Sequence, residues 1–282
     1  MKAAVVYGIN DLRLEEIEKP QIERDDQILV KIKAVGICGS DIHILHGANP
    51  FATYPRIMGH EMVGEVEAVG DNVKNIAIGD HIVVEPITYC GKCYACRKGM
   101  PNVCQQLKVS GVHVDGGMRE YIVIAEKQAH KIKKDIPWTT AVLAEPYTIA
   151  GNVTTRTNIS TGDKVVIQGA GPIGITILRM AKVKGATVLV TDMVDEKLAF
   201  AKENGADMVV NPSKENLIEA VKTWTDEEMA NVVIDAACTP KTFEICFDLV
   251  SIAGTIGVLG MNEKPSNIPQ IHFMKGYVTT NS

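Results

Sequence analysis

At 282 residues the chain exceeds what one ordinary hydrophobic core supports and suits two domains. Hydrophobic residues make up 46% and charged residues 22%, the proportions of a folded globular protein, which excludes a disordered or fibrous chain. A net charge of −5 with no basic stripe argues against nucleic acid as a partner.

The N-terminus reaches Asp11 before any apolar run long enough for a signal sequence, and no stretch approaches the ~18 uncharged apolar residues of a membrane span. The expectation is a cytoplasmic protein with no membrane partner, and its seven cysteines fit a reducing compartment. No internal repeat or low-complexity segment is visible.

In chain order, short β-rich runs at 27–35, 61–69, 81–85 and 120–125, punctuated by Gly, Pro and Asp, predict a compact irregular β domain over 1–147. Two segments with chemistry-bearing side chains lie within it. One is Gly36-Ile37-Cys38-Gly39-Ser40-Asp41-Ile42-His43 and the other Gly59-His60-Glu61-Met62-Val63-Gly64-Glu65-Val66. Taken singly, Cys38 reads as a small buried apolar residue and His60 as a satisfied core group.

A lobe at about 88–106 extrudes from this domain. Cys90, Cys93, Cys96 and Cys104 fall as C-x2-C-x2-C-x7-C, a spacing that lets one loop close four thiolates around a tetrahedral zinc. An all-sulfur donor set with no open position describes a structural site. Lys92, Arg97 and Lys98 beside the thiolates suit their negative charge. The alternative is four free or disulfide-paired cysteines in a flexible loop.

From about residue 161 the rhythm changes. Strands at 164–168, 187–191, 208–210, 232–236 and 255–259 alternate with helices at 173–184, 196–204, 217–224 and 242–251, which builds a parallel sheet covered on both faces over 148–282. The overall fold class is α/β.

Gly169-Ala170-Gly171-Pro172-Ile173-Gly174 is G-x-G-x-x-G directly after the first of these strands. Gly169 allows a tight turn, Gly171 lets the backbone approach a pyrophosphate and Gly174 permits close helix packing, with Pro172 and Ile173 opening a helix whose N-terminus faces the phosphates. Asp192, eighteen residues after Gly174, ends the second strand where a carboxylate takes the hydroxyls of an adenosine ribose. A 2′-phosphate would meet like charge there, so the expected cofactor is NAD rather than NADP. The competing reading makes the glycines a plain turn and Asp192 a helix cap. Lys197 on the following helix is either a further ribose contact or a solvated surface lysine.

The G-H-E-x-x-G-x-V stretch, the four-cysteine lobe, Asp115-Gly116-Gly117 before Glu120-Tyr121, and Glu145-Pro146 together resemble the zinc-dependent medium-chain alcohol and polyol dehydrogenases, especially the sorbitol-dehydrogenase-like members acting on polyols and sugar acids. The resemblance runs from Met1 to about Lys275. It implies a GroES-like catalytic domain, a Rossmann domain and an NAD site in the cleft between them. It further implies a catalytic zinc held by Cys38 and His60, with Glu61 and Glu145 as direct or water-mediated ligands. Simple alcohol dehydrogenases carry cysteine where Glu145 stands, so glutamate points to the polyol branch. Ser40 and His43 match the relay that carries the alcohol proton to solvent; a surface histidine is the other reading of His43.

The function this implies is NAD- and zinc-dependent oxidation of a secondary hydroxyl of a polyol, sugar alcohol or sugar acid to a ketone. Zinc acidifies a bound hydroxyl and the nicotinamide accepts the hydride. Two alternatives stand beside it: a dehydrogenase of the same fold for simple alcohols or amino acids, and a truncated zinc- and nucleotide-binding protein without turnover. Arg56 and Arg119 are either carboxylate-binding groups or solvated arginines. Relatives continue past Ser282, and 276–282 lacks the strand pattern expected there, so reduced stability and activity are expected of the short chain. Residues 266–273, containing Pro269, resemble the segment through which relatives pair sheets, which implies a homodimer or tetramer; a plain surface loop is the alternative.

Overall fold

The computed structural model describes residues 1–260, 262, 264–274 and 280–281. The chain forms two compact units, Met1–Glu145 and Pro146–Ser282.

The first unit begins with a hairpin, β1 (Lys2–Gly8) and β2 (Asp11–Glu16), followed by β3 (Gln27–Gly36), the short helix α1 (Gly39–Leu45), β4 (Arg56–Ile57), β5 (Glu61–Val69) and β6 (His81–Val84). The lobe follows, with β7 (Ile87–Thr88), α2 (Tyr94–Arg97) and β8 (Lys108–Val109), and then β9 (Tyr121–Ala125), β10 (Ala129–Ile132) and α3 (Trp138–Ala141). Its main sheet is antiparallel, in the order β10-β6-β5-β3-β9, and β2-β1-β4 form a second sheet. Ile28, Val30, Met62, Val66, Ile82, Val84, Ile122 and Ile124 fill one core, because alternate residues of each strand turn the same way.

The β3–β5 register positions the chemistry. Its last pair is Gly36 opposite Glu61, so the end of β3 and the start of β5 lie side by side. Cys38, just past β3, and His60, just before β5, are thereby brought together from distant parts of the sequence.

In the second unit, α4 (Ala144–Arg156, which starts two residues before the boundary) leads into β11 (Lys164–Gln168), α5 (Pro172–Val183), β12 (Thr187–Thr191), α6 (Asp195–Glu203) and β13 (Met208–Val210). Then come α7 (Leu217–Trp224), β14 (Ala230–Asp235), α8 (Pro240–Leu249), β15 (Val250–Val258) and the two-residue β16 (Thr280–Asn281). All pairs are parallel, in the order β13-β12-β11-β14-β15-β16. The order reverses at β11, the switch point at which doubly wound sheets hold nucleotides. Two apolar clusters cover its faces, one containing Val165, Ile167 and Val188 and the other Val166, Leu189 and Val233. Helix α5 buries Gly174, Ile177, Leu178 and Ala181, the spacing of a single helical face.

Two sequence expectations need correction. Residues 250–254 belong to β15 rather than to a helix end and linker: Val250 is already extended (φ −85°, ψ 140°). Thr280 and Asn281 do pair with β15, opposite Ile256 and Gly257, because an edge strand needs only backbone groups; 275–279 and 282 lie outside the described residues. Residues 266–269 run as coil into a 3-10 turn, Gln270–Met274. Among the described residues, no helix is long and apolar enough to cross a membrane.

Candidate active site and metal centres

The sulfurs of the lobe converge. Sγ separations are 3.5 Å for Cys93–Cys96, 3.8 Å for Cys93–Cys104 and 3.5 Å for Cys104–Cys90. A regular tetrahedron with metal–sulfur bonds of about 2.3 Å has edges of about 3.8 Å, whereas a disulfide needs about 2.05 Å. The arrangement therefore suits an ion at its centre and not a disulfide. Backbone N–H groups of Cys90, Cys93 and Gln106 donate to these sulfurs at 3.2–3.3 Å, which favours thiolates. The N–H groups of Cys96 and Gln105 pull the Cys93 thiol down to about 6, while desolvation and then the neighbouring sulfurs push Cys96 up to about 12. Four crowded thiols cannot all ionise without a cation among them.

The second cluster is built on the β3–β5 register. Ligand atoms of Cys38, His60 and Glu61 all lie within 4.8 Å of one another. Asp41, only 1% exposed, holds the two segments in place: its Oδ2 accepts the Cys38 N–H at 2.9 Å and its Oδ1 the Gly59 N–H at 3.1 Å. The same Oδ1 stands 3.9 Å from His60 Nδ1.

Three observations fit a cation here. His60 is 8% exposed, and its buried Nδ1 has no hydrogen-bond partner among the described residues. A Cβ on Gly36 would lie 1.8 Å from Glu61 Oε2, so only glycine leaves room for that carboxylate beside Cys38. The donor set of thiol, imidazole and carboxylate is one that zinc takes in catalytic sites.

Electrostatics agree with that donor set. Burial works against a charged His60, but the Cys38 sulfur and the carboxylates of Asp41 and Glu145 outweigh it and push His60 up to about 9. Burial pushes the Cys38 thiol up, and His60 and Ser40 beside it together more than offset this. Burial raises both Glu61 and Glu145. Glu145 is thus close enough to interact with His60 and Glu61 by charge, yet it is not one of the three groups within 4.8 Å.

Ser40 and His43, three residues apart on α1, share a helix face. Ser40 Oγ is buried and without a hydrogen-bond partner among the described residues, and His43 is exposed. One end of this pair is hidden and the other meets water.

In the second unit, Gly169 adopts φ +102°, a region that favours glycine, and a Cβ on Gly174 would lie 1.9 Å from the Gly169 carbonyl oxygen. Gly171 caps α5 ahead of Pro172 and Ile173, and the space where its side chain would be is open. Asp192 Oδ2 accepts the Ala170 N–H at 2.9 Å and Oδ1 the Val194 N–H at 3.0 Å, which fixes the carboxylate and leaves lone pairs for ribose hydroxyls. Gly169 and Asp192 line a cavity of about 330 Å³ together with Pro212, Leu217, Thr242 and Ile245. Lys197 is exposed on α6 and does not line it.

Asp41 and Gly36 are the residues a reading of the sequence passes over. The signal for Asp41 was its place three residues after Cys38, the spacing of a helix-capping acid. Gly36 carries no signal until its partner across the sheet is known. Gly36→Ala should displace Glu61 and lower zinc affinity at this cluster by about 10–100-fold, the range for disturbed metal-site neighbours, while the lobe keeps its metal. Metal titration followed by elemental analysis checks this.

Comparison with known proteins agrees with the geometry. A family model described as alcohol dehydrogenase GroES-like domain matches residues 24–134, and one described as zinc-binding dehydrogenase matches 172–281. The chain is 42% identical over 273 residues to starvation-sensing protein RspB of Escherichia coli K12, covering 96% of this chain and 79% of that protein. It is 33% identical to sorbitol dehydrogenase of Bacillus subtilis, covering 96% and 79%, and 38% identical to L-threonine 3-dehydrogenase of Pyrococcus abyssi, covering 93% and 75%. The crystal structure of rspB from E. coli CFT073, complexed with NADH, superposes with a TM-score of 0.93 at 40% identity, covering 99% of this chain and 82% of that one. With both family models matched and both metal clusters assembled, the chain belongs to the zinc-binding alcohol dehydrogenases, oxidoreductases with a GroES-like domain and a Rossmann-like parallel sheet.

Proposed function

We propose that the chain oxidises a secondary hydroxyl of a polyol, sugar alcohol or sugar acid to a ketone, with NAD as acceptor. The observation that carries this reading is the Cys38, His60 and Glu61 cluster, with Glu145 rather than a cysteine as the nearby fourth group. Cys38, His60 and Glu61 would hold the catalytic zinc, with Glu145 as a direct or water-mediated ligand, and Cys90, Cys93, Cys96 and Cys104 a structural one. When bound, zinc supplies Lewis acidity toward the substrate hydroxyl and the nicotinamide supplies the hydride acceptor.

The chain's own residues do the rest. Ser40 Oγ, hidden and unengaged, takes the hydroxyl proton, and His43 passes it to water. Asp41 keeps Cys38 and His60 in register through the two N–H groups it accepts. Gly169, Gly171 and Gly174 shape the turn beneath the pyrophosphate, and Asp192 receives the adenosine ribose. Lys197, exposed on α6, would add a further contact to the ribose.

The test is direct. Zinc-loaded protein should reduce NAD with at least one member of a panel of polyols and aldonates; silence across the panel with zinc and NAD bound ends the proposal. L-Threonine belongs in the panel, since the 38% identity to a threonine dehydrogenase favours an amino-alcohol substrate as the second reading. Sedimentation tests the accompanying proposal of a dimer or tetramer, and cell fractionation that of a cytoplasmic enzyme.

Asp192→Ala should shift preference toward NADP. Like charges at contact repel by ~1–4 kcal/mol, so the NADP/NAD ratio of kcat/KM should rise by at least about fivefold. An unchanged ratio would remove Asp192 from the ribose site.

A further inference from the structure

Where the lobe joins the body of the first unit, a cavity of about 720 Å³ opens, within the size range of small-ligand sites. None of its lining residues belongs to the Cys38, His60 and Glu61 cluster, and none is acidic. Lys108 is the one cationic side chain of its lining and stands in the same wall as Cys90 of the lobe, so an anion would be addressed at Lys108.

Several polar groups of the wall can donate. Lys108 supplies an ammonium. His113 Nδ1 accepts the Val109 N–H at 3.1 Å, so the neutral ring carries its proton on Nε2, where it can donate. Thr53 Oγ1 accepts from Arg56 at 2.9 Å, which leaves its own hydroxyl hydrogen free. Further positive charge stands behind the wall, with Lys127 over the Tyr89 ring at 4.8 Å.

Two rings complete the site. Phe51, half exposed, lies 6.0 Å from the His113 ring, and Tyr89 also lines the cavity. Ring faces of this kind pack the C–H faces of a hydroxylated carbon chain, while the donors address its oxygens. We propose that this cavity binds a small hydroxylated anion, its carboxylate or phosphate at Lys108 and His113 and its carbon chain against Phe51 and Tyr89.

An occupant would be in contact with the elements that carry the catalytic cluster. The Phe51–Thr53 segment is anchored to α1 by the Tyr54 hydroxyl, which donates to the Ile44 carbonyl. Gly111, two residues before His113, packs directly on the backbone of Gly59, beside His60.

Calorimetric titration of the zinc-loaded chain without NAD tests this, using gluconate, glucose 6-phosphate, inorganic phosphate and neutral sorbitol as probes. Gluconate or glucose 6-phosphate should bind and sorbitol should not; comparison of the two identifies the preferred anionic group. Lys108→Ala should weaken binding by about tenfold, the effect of losing one charge-assisted contact, Lys108→Glu should abolish it and Lys108→Arg should largely retain it. The His60→Ala chain should bind as the parent does, which separates this site from the catalytic cluster and from the fate of the proposed reaction. No binding by either sugar anion, equal binding of sorbitol, affinity indifferent to Lys108, or inorganic phosphate binding as tightly as both sugar anions would overturn the proposal.

Discussion

Turnover of the His60→Ala chain should fall below detection, with the metal content lower by one ion per chain and the lobe's zinc retained. The expectation follows from how little else can hold that ion: without the imidazole, Cys38 and Glu61 remain, with Glu145 outside the 4.8 Å group. Asp41→Asn separates holding from positioning. Asp41 is not one of the three clustered groups; it accepts one N–H from each of the two segments that carry Cys38 and His60. An asparagine offers one acceptor oxygen and turns an NH2 toward the other N–H, so one segment loses its anchor. Zinc affinity and kcat should then fall by about 10–100-fold, as for other groups that orient metal ligands. Asp41→Ala should cost more in stability, about 1–3 kcal/mol for each N–H left buried and unsatisfied. Partial recovery of kcat by excess zinc in Asp41→Asn, but not in His60→Ala, would distinguish the two roles. Full activity of His60→Ala would remove the cluster from the chemistry, and full activity of Asp41→Asn would remove the positioning role of Asp41.

What the sequence makes legible here is periodicity and short-range spacing. The strands at 27–35 and 61–69 announce themselves by alternation, and C-x2-C-x2-C-x7-C and G-x-G-x-x-G are local patterns whose geometry follows from spacing alone. The β1–β2 hairpin is harder to read because β2 is mostly exposed and charged, with little burial to imprint a pattern. Strand β16 is legible only from its partner, since two residues of edge pairing use backbone groups that every sequence has. At the site, Cys38 and His60 can be associated only through a resemblance, because the register that joins them depends on two irregularities in β3–β5 pairing. Asp41 is hidden for the same reason: one of its two N–H partners lies eighteen residues away.

Removing the lobe's metal should unfold the lobe without unfolding the sheet beside it. The lobe holds two two-residue strands, a four-residue helix and four sulfurs, and of those cysteines only Cys104 is buried. Helices and strands that short have no stability of their own in water. The five-stranded sheet, by contrast, has a core of nine buried apolar residues, none of them from the lobe segment 88–106. Its stability therefore does not depend on the ion, whereas the order of Cys90–Cys104 does. An ion present at 100 times its dissociation constant stabilises the state that binds it by about 2.7 kcal/mol, which is about a hundredfold in the opening equilibrium. After chelation, hydrogen exchange in the lobe should accelerate by at least that factor while amides of β3 and β5 stay protected. Cys96→Ser should reproduce the effect in the presence of zinc, because one hard oxygen in a thiolate set weakens the ion's hold. Loss of protection in β3 and β5 together with the lobe would mean that the ion supports the whole unit, and unchanged exchange in the lobe would mean that the four sulfurs hold no metal at all.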